Sequence, residues 1–378
     1  MRRRTRKSPA KPRSIEFAID HIDPLGQGVS RKGGSVTFIA ATLPGETGTA
    51  SVYKRARGVQ FARLQVLDQV ADNRVDPVCP HFKQCPGCQF LHTDYASELG
   101  YKQTALARHL GKLNISEADI DVVPAPRRLA YRNRVQLHYR HKYIGMLDTI
   151  SNEILEIPQC KIIRHELQPA FDQIYRGDWV KDHSGHGHCE LYFKSGEVSL
   201  NWDDDYSHGG FSQVYEEMNL ELQSRVQKQI EEAETSSLLD LFSGSGNLSD
   251  AYAKTGGERV LIDNFGEPAG TDIDDNFHRM DLYEDQTLPN FIRKLGGKTF
   301  DTILIDPPRR GFPGLHGWVK KIKPQYLIYV SCNPASLAWD LHNLDSKFRI
   351  KSVQLLDLFP ATSHFETLVV IEIRKASR

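Results

Sequence analysis

The sequence predicts an α/β fold, with a doubly wound sheet of seven strands in the carboxyl-terminal half, preceded by a small β-barrel and a mixed α+β segment. Three observations predict it. Short apolar or β-branched runs recur at LLDLF (238–242), RVLID (259–263), DTILID (301–306), YLIYV (326–330), SVQLLDLF (352–359) and TLVVIEI (367–373), mostly at separations that admit a helix, and HRMDLY (278–283) adds a shorter one. Residues Ser14 to about Val70 instead alternate apolar and polar in the runs IEFAI, SVTFIAATL, TASVYKRA and FARLQVL, broken by the turn signals DPLGQG, KGG and LPGE. Between these regions lie three closely spaced cysteines and a set of antiparallel-looking strands.

Length and charge bound the class. At 378 residues the chain holds two or three domains. Lys+Arg and Asp+Glu both number 48, so net charge carries no nucleic-acid signature and the distribution must be read instead. It is uneven: residues 1–13, MRRRTRKSPAKPR, carry seven basic side chains and no acid. No apolar segment follows that would make a secretory signal, and no run approaches a membrane span. The expectation is a solvated basic tail with RNA phosphate as its target, on a cytoplasmic, monomeric protein.

Taken in order, the first strands predict a small antiparallel barrel, with Lys54, Arg55, Arg57 and Arg63 as a basic rim that is either a solvated face or an RNA contact. Cys79, Cys85 and Cys88 then form C-x5-C-x2-C before a helix that starts near Tyr95. Without an export signal these thiols point to metal or catalytic use, and Cys160 is the best candidate for a fourth ligand. Zinc and an iron–sulfur cluster both accept four thiolates. From Tyr131 to Leu200 the runs RVQLHYRHKYIGML, EILEI and ELYFKSGEVSLNW read as antiparallel strands, with Arg132 and Arg134 on one face as a phosphate-contacting edge. His183, His186, His188 and Cys189 read as a solvated loop rather than a metal site. Val214, Met218, Leu222, Val226 and Ile230 recur every four residues and predict a helix over 214–233 that packs on the sheet.

The candidate site lies at strand ends. LLDLFSGSGNLSD (238–250) reads as strand, Gly-rich turn and helix start: Gly244 and Gly246 let the backbone turn tightly beside a ligand, and Asp240 fixes the loop. Asp263 ends the next strand, where a carboxylate accepts ribose hydroxyls. With Asp281 and Asp306, acids follow three successive strands. That row suits a nucleoside carrying a cationic sulfonium better than a polyphosphate, and S-adenosylmethionine is the expected ligand. Cys332, in YVSCNP (329–334), follows a buried strand at the edge where α/β sheets bind ligands. A free cysteine is more often a packing residue, but that position suits a nucleophile.

FSQV (211–214), LDLFSGSGN (239–247), DPPRRG (306–311), SCNP (331–334) and FPATSHFET (359–367) stand in the order found in RNA uracil-5-methyltransferases, which the chain resembles over nearly its whole length. The front resembles the TRAM barrel, an OB-like fold, and Cys79, Cys85, Cys88 and Cys160 are similar to the 4Fe–4S ligands of the 23S rRNA branch. The resemblance implies a TRAM-like barrel over 14–72, a central iron–sulfur and RNA-contacting domain over 73–205, and a Rossmann-like methyltransferase domain over 206–378. It implies Cys332 as the nucleophile that adds to uracil C6 and Glu366 as the base that removes the C5 proton. Gln213, Phe242, Asn247, Asp263, Asp281 and Asp306 resemble the cofactor-binding set, with Asp306 near enough to contact the base. C6 is inaccessible in a stack, so the target uridine must be flipped or presented in a loop.

One stretch departs from that pattern: NFGEPAGTDIDDNFHRM, between Asp263 and Asp281, is too rich in Gly, Pro and acid for a full helix. Three rival readings remain. An RNA cytosine-5-methyltransferase would carry Pro-Cys where this chain has PPRR, an amino-group methyltransferase would carry an aromatic where Arg309 stands, and a non-catalytic RNA-binding factor would not need both Cys332 and Glu366. A tRNA substrate is the alternative within the family.

Overall fold

The computed structural model describes residues 13–148, 151–183, 185–204, 213–264, 276–344 and 347–374. Most of the basic tail, Phe211–Ser212 of FSQV and most of the departing 264–280 stretch lie outside the described residues. Contacts divide the chain into two compact units, one of Met1–Tyr101 with Ala361–Ser363, the other of Lys102–Pro360 with His364–Arg378.

The first unit holds a closed five-stranded barrel of β1 (Arg13–Ile22), β2 (Gln27–Ser30), β3 (Val36–Ala40), β4 (Thr47–Ala56) and β5 (Val59–Gln69), in the order β1-β2-β3-β5-β4. Alternation places Phe17, Ile19, Ile39, Ala50, Val52 and Ala62 inside. Two details correct the sequence reading: β2 forms within what reads as a turn signal, and β3 pairs with β5 in parallel, so the barrel is not wholly antiparallel. The cysteine loop follows. Helix α1 (Tyr95–Leu110) begins after Asp94, whose Oδ1 accepts the Ser97 N–H at 2.7 Å as a cap.

In the second unit β6 (Ile120–Val123) precedes an antiparallel sheet of β7 (Arg134–Arg140), β8 (Tyr143–Asp148), β9 (Glu153–Leu155), β10 (His186–Lys194) and β11 (Glu197–Trp202), ordered β11-β10-β7-β8-β9, with α2 (Gln168–Arg176). His186, His188 and Cys189 are therefore strand residues rather than a loop. Arg134 is no exposed edge either: it is 2% exposed and paired with Glu190 at 3.0 Å. Then come α3 (Glu216–Glu232), β12 (Ser237–Leu241), α4 (Asp250–Lys254), β13 (Glu258–Asp263), β14 (Phe277–Arg279), α5 (Thr287–Leu295), β15 (Thr302–Ile305), α6 (Leu315–Ile322), β16 (Tyr326–Ser331), α7 (Pro334–His342), β17 (Phe348–Leu356) and β18 (Glu366–Ile373). Met218, Leu222, Val226 and Ile230 are the buried stripe of α3.

These last strands build a sheet ordered β14-β13-β12-β15-β16-β18-β17-β6. It has eight strands, not seven, because β6 adds in parallel to β17 at the edge. Strands β12 to β16 run parallel and β18 runs antiparallel to both its neighbours. The order reverses between β12 and β15, and such a switch point opens a crevice beyond the strands' carboxyl ends. No helix among the described residues is long and apolar enough to cross a membrane.

Candidate active site

Four segments converge beyond the carboxyl ends of β12, β13, β15 and β16. The Gly-rich turn after β12 is pinned from the next strand: Gly244 N–H donates to Asp263 Oδ2 at 2.8 Å. Gly246 takes the left-handed conformation at φ +83°, and a Cβ there would stand 3.2 Å from Arg259 Nη1. Asp240 is buried and accepts from Ser249 Oγ at 2.6 Å, fixing the start of α4. Ser243 Oγ is buried in the turn with no hydrogen-bond partner. Phe242 packs against Tyr283 and Phe312, with ring centroids 5.3 and 5.0 Å away.

The acids are crowded. Burial, then the Asp240 and Asp263 charges, push Asp306 up to about 7, and burial above all pushes Asp240 up to about 7. Two buried carboxyls, Asp240 and Asp306, that resist ionising would be relieved by a positive ligand, so the donor set fits a sulfonium nucleoside. Asn247 is held by α3, its Oδ1 accepting from Gln223 Nε2 at 2.7 Å. Asp281 accepts the Tyr283 N–H at 2.9 Å after β14, and the Gln213 carbonyl accepts from Asn133 Nδ2 at 3.1 Å just before α3.

Cys332 stands between a strand and a helix. The Ser331 hydroxyl donates to the Asn333 carbonyl at 3.0 Å and accepts its N–H at 3.1 Å, so the chain turns sharply around the thiol. Asn333 caps α7, accepting the Ala335 N–H at 3.1 Å, while Pro334 occupies the first turn. Asn333 Nδ2 also donates to the Arg309 carbonyl at 2.7 Å and ties DPPRRG to the thiol turn. Gly311 in that loop has φ +74°, and a Cβ would come within 2.6 Å of Asp340 Oδ2.

The register completes the arrangement. Ser331 pairs with Thr367 across β16 and β18, which brings Cys332 and Glu366 to the same end of adjacent strands. Glu366 is 3% exposed and its Oε2 is buried without a partner. Burial first, then the Asp306 charge, push its carboxyl well above the ordinary range, against Arg309. Burial, Glu366 and Asp306 in turn push the Cys332 thiol up to about 12, again opposed by Arg309. His364 is pushed down to about 4 by burial and by the cations Arg309, Lys102 and Arg132, so its ring is neutral at physiological pH. Arg309 is the residue that sequence reasoning missed as a site group. Its place in DPPRRG directly after β15 was the available signal.

In the cysteine loop Cys85 Sγ accepts the Gly87 N–H at 3.4 Å. Cys79, Cys85 and Cys88 belong to the first unit and Cys160 to the second. Among the described residues, no three His, Cys, Asp or Glu side chains are gathered to hold a metal.

Comparison with known proteins agrees with this geometry. Residues 291–374 match the family model described as tRNA (Uracil-5-)-methyltransferase. The chain is 27% identical to a 23S rRNA (uracil(1939)-C(5))-methyltransferase RlmD of Shewanella frigidimarina, covering 97% of each chain, and 26% identical to that of Shewanella halifaxensis, covering 95% of this chain and 96% of the relative. In structure it is similar to a Pyrococcus abyssi tRNA (uracil-54, C5)-methyltransferase solved with S-adenosyl-L-homocysteine, with a TM-score of 0.73, 22% identity and coverage of 94% of this chain and 99% of that one. With a strand-end cysteine, a buried glutamate at the same end of the adjacent strand and a row of acids beside a Gly-rich turn, the chain is similar over nearly its whole length to RNA uracil-5-methyltransferases.

Proposed function

We propose that this protein methylates C5 of one uridine in 23S rRNA, with Cys332 as nucleophile and Glu366 as base. The observation that carries the reading is that Cys332 and Glu366 each lie next to the Ser331–Thr367 rung, at one end of adjacent strands, backed by near-full-length similarity to relatives named for that reaction. Uracil C5 is too weak a nucleophile to take a methyl group unaided. The Cys332 thiolate adds to C6 and moves the π electrons toward C4, making an enolate whose C5 is nucleophilic. Bound S-adenosylmethionine supplies the electrophilic methyl group. C5 is then tetrahedral and holds one proton; Glu366 removes it, the C5–C6 double bond reforms and the thiolate leaves. Arg309 offsets the negative charge that gathers around the thiolate and the carboxylates.

Gln213, Phe242, Gly244, Gly246, Asn247, Asp263, Asp281 and Asp306 form the cofactor-binding set. Residues 14–72 are the TRAM-like part, 73–205 the cluster and RNA-contacting part and 206–378 the Rossmann-like catalytic part of a monomeric cytoplasmic protein. On the barrel, Arg63 stands over the exposed Tyr53 ring at 5.5 Å, Lys54 over Phe61 at 5.6 Å, and Phe38 stacks on Phe61; cations interleaved with aromatics suit single-stranded RNA. Cys79, Cys85, Cys88 and Cys160 would hold a 4Fe–4S cluster, a reading supported by their spacing.

Cys332→Ala should abolish methylation of unmodified 23S rRNA, and Glu366→Gln should trap a covalent protein–RNA adduct; full activity in the alanine variant would refute the mechanism. Mass-spectrometric mapping of methyluridine in rRNA and tRNA from cells lacking the protein decides the substrate. Anaerobically purified protein should be brown, whereas a colourless, zinc-loaded sample would overturn the cluster.

A further inference from the structure

The loop that carries Arg309 leaves β15 and turns back at Gly311, whose N–H donates to the Pro308 carbonyl at 2.8 Å. Arg309 is an exposed side chain, yet its charge opposes those of Glu366 and Asp306 at the Cys332 thiol. A long, exposed side chain samples many rotamers, so its charge acts at one place only where the backbone beneath it is held. Two fastenings hold this loop to α7, the helix that begins at the thiol turn. Asn333, the cap of that helix, donates to the Arg309 carbonyl at 2.7 Å. Farther along α7, Asp340 Oδ2 accepts the Phe312 N–H at 2.6 Å and the Tyr329 hydroxyl at 2.6 Å.

Tyr329 lies on β16, the strand that runs into Cys332, and Phe312 directly follows the DPPRRG loop, so one carboxyl joins both sides of the site. Asp340 is a costly link. Its side chain is 3% exposed, Tyr329 and Phe312 are buried with it, and among the described residues its Oδ1 has no hydrogen-bond partner. A buried carboxyl with one oxygen unpaired lowers stability, so a contribution to the fold alone does not account for it. What the Oδ2 contacts fix is a separation. They draw the loop so close to α7 that a Cβ on Gly311 would stand 2.6 Å from Asp340 Oδ2 and 2.8 Å from Ser336 Cβ.

We infer that Asp340 is a positioning residue: by fastening Phe312 to Tyr329 and α7, it fixes the loop from which Arg309 offsets charge at Cys332. Its effect on catalysis rests on Cys332 being the nucleophile, whereas its effect on the thiol does not.

The test uses the full-length protein, with iodoacetamide alkylation of Cys332 read by mass spectrometry, steady-state methylation of 23S rRNA transcript, and thermal unfolding. Asp340→Ala should slow labelling at fixed pH about threefold or more, since only the thiolate reacts and Arg309 no longer favours it. Arg309→Gln should slow labelling in the unaltered protein but change it less than about twofold in the Asp340→Ala background. A carboxyl that only stabilised the fold would leave the Arg309 effect at full size. Asp340→Asn keeps an acceptor oxygen for both donors and should bring labelling back to within about twofold. In methylation, Asp340→Ala should lower kcat about tenfold with KM for RNA within about twofold. Should that variant not fold, Tyr329→Phe, which removes the hydroxyl that orients the carboxyl, should show the same pattern more weakly. Labelling at the unaltered rate in Asp340→Ala, or an undiminished Arg309→Gln effect in its background, would overturn the inference. If labelling follows the expected pattern but Cys332→Ala still methylates, the assignment of the nucleophile falls and the positioning of Arg309 stands.

Discussion

Cys332 and Glu366 each stand one residue beyond the Ser331–Thr367 rung that joins β16 to β18, so a thiol and a carboxyl distant in sequence leave adjacent strands at one level. Burial first, and then the Glu366 charge, raise the Cys332 thiol and so set the pH behaviour of the site.

Burial, Glu366 and Asp306 hold the Cys332 thiol up at about 12, with Arg309 opposing. The ligand-free thiol is thus protonated at neutral pH. Alkylation of Cys332 by iodoacetamide, read by mass spectrometry, should rise about tenfold per pH unit without levelling below pH 9, since only the thiolate reacts. Arg309→Gln should slow labelling at fixed pH, and Asp306→Asn should speed it.

Asp240 and Asp306 are both raised to about 7 in the fold. Between their unfolded carboxylate values and that pH the folded chain binds more protons than the unfolded one. Their contribution to stability is therefore fully present below about pH 4 and is lost as pH rises through about 7. Thermal midpoints from pH 4 to 8 should fall less steeply in Asp306→Asn than in the unaltered protein; identical slopes would contradict the assignment.

Lys102 and Asp357 form an ion pair that is 1% and 0% exposed. Lys102→Met strands a buried carboxylate and should cost about 3–5 kcal/mol in denaturant unfolding, while adding Asp357→Leu should recover much of that loss. A double variant no better than the single one would show that the pair is not a closed unit.

Asn333 caps α7 and also ties the Arg309 carbonyl. Asn333→Ala should lose about 1 kcal/mol of stability from the cap. Asn333→Asp keeps the cap but not the donor to Arg309, so its activity separates the two roles. Methylation that falls about tenfold in both variants would point to the tie, since displacement of a positioned cation acts on the transition state.

Much of this site is legible in the sequence because local chemistry writes it there. Strand ends ending in Asp, the SGSGN turn and SCNP mark places where a parallel strand gives way to a helix, and each such place faces the crevice. The sequence marks Arg309 only by its place in DPPRRG; that its charge acts on Cys332 depends on a loop that turns at Gly311 and is tied by Asn333. Arg134 reads as exposed from strand alternation, yet Glu190 on β10 covers it. The C-x5-C-x2-C spacing reads as a common use for three thiols, but distances among four thiols are fixed by packing that spacing does not encode.

By itself the sequence determined the kinds of element, their order, and which reactive residues sit at strand ends, since the two-residue and 3.6-residue periods and the turn chemistry are local properties. Only the tertiary structure decided that β6 joins the large sheet and that β18 enters between β16 and β17 in the register that pairs Ser331 with Thr367 and so brings Cys332 and Glu366 to one end of adjacent strands. Strand partnership and register come from burying side chains of remote segments against one another, and no periodicity within one segment specifies which remote segment that will be.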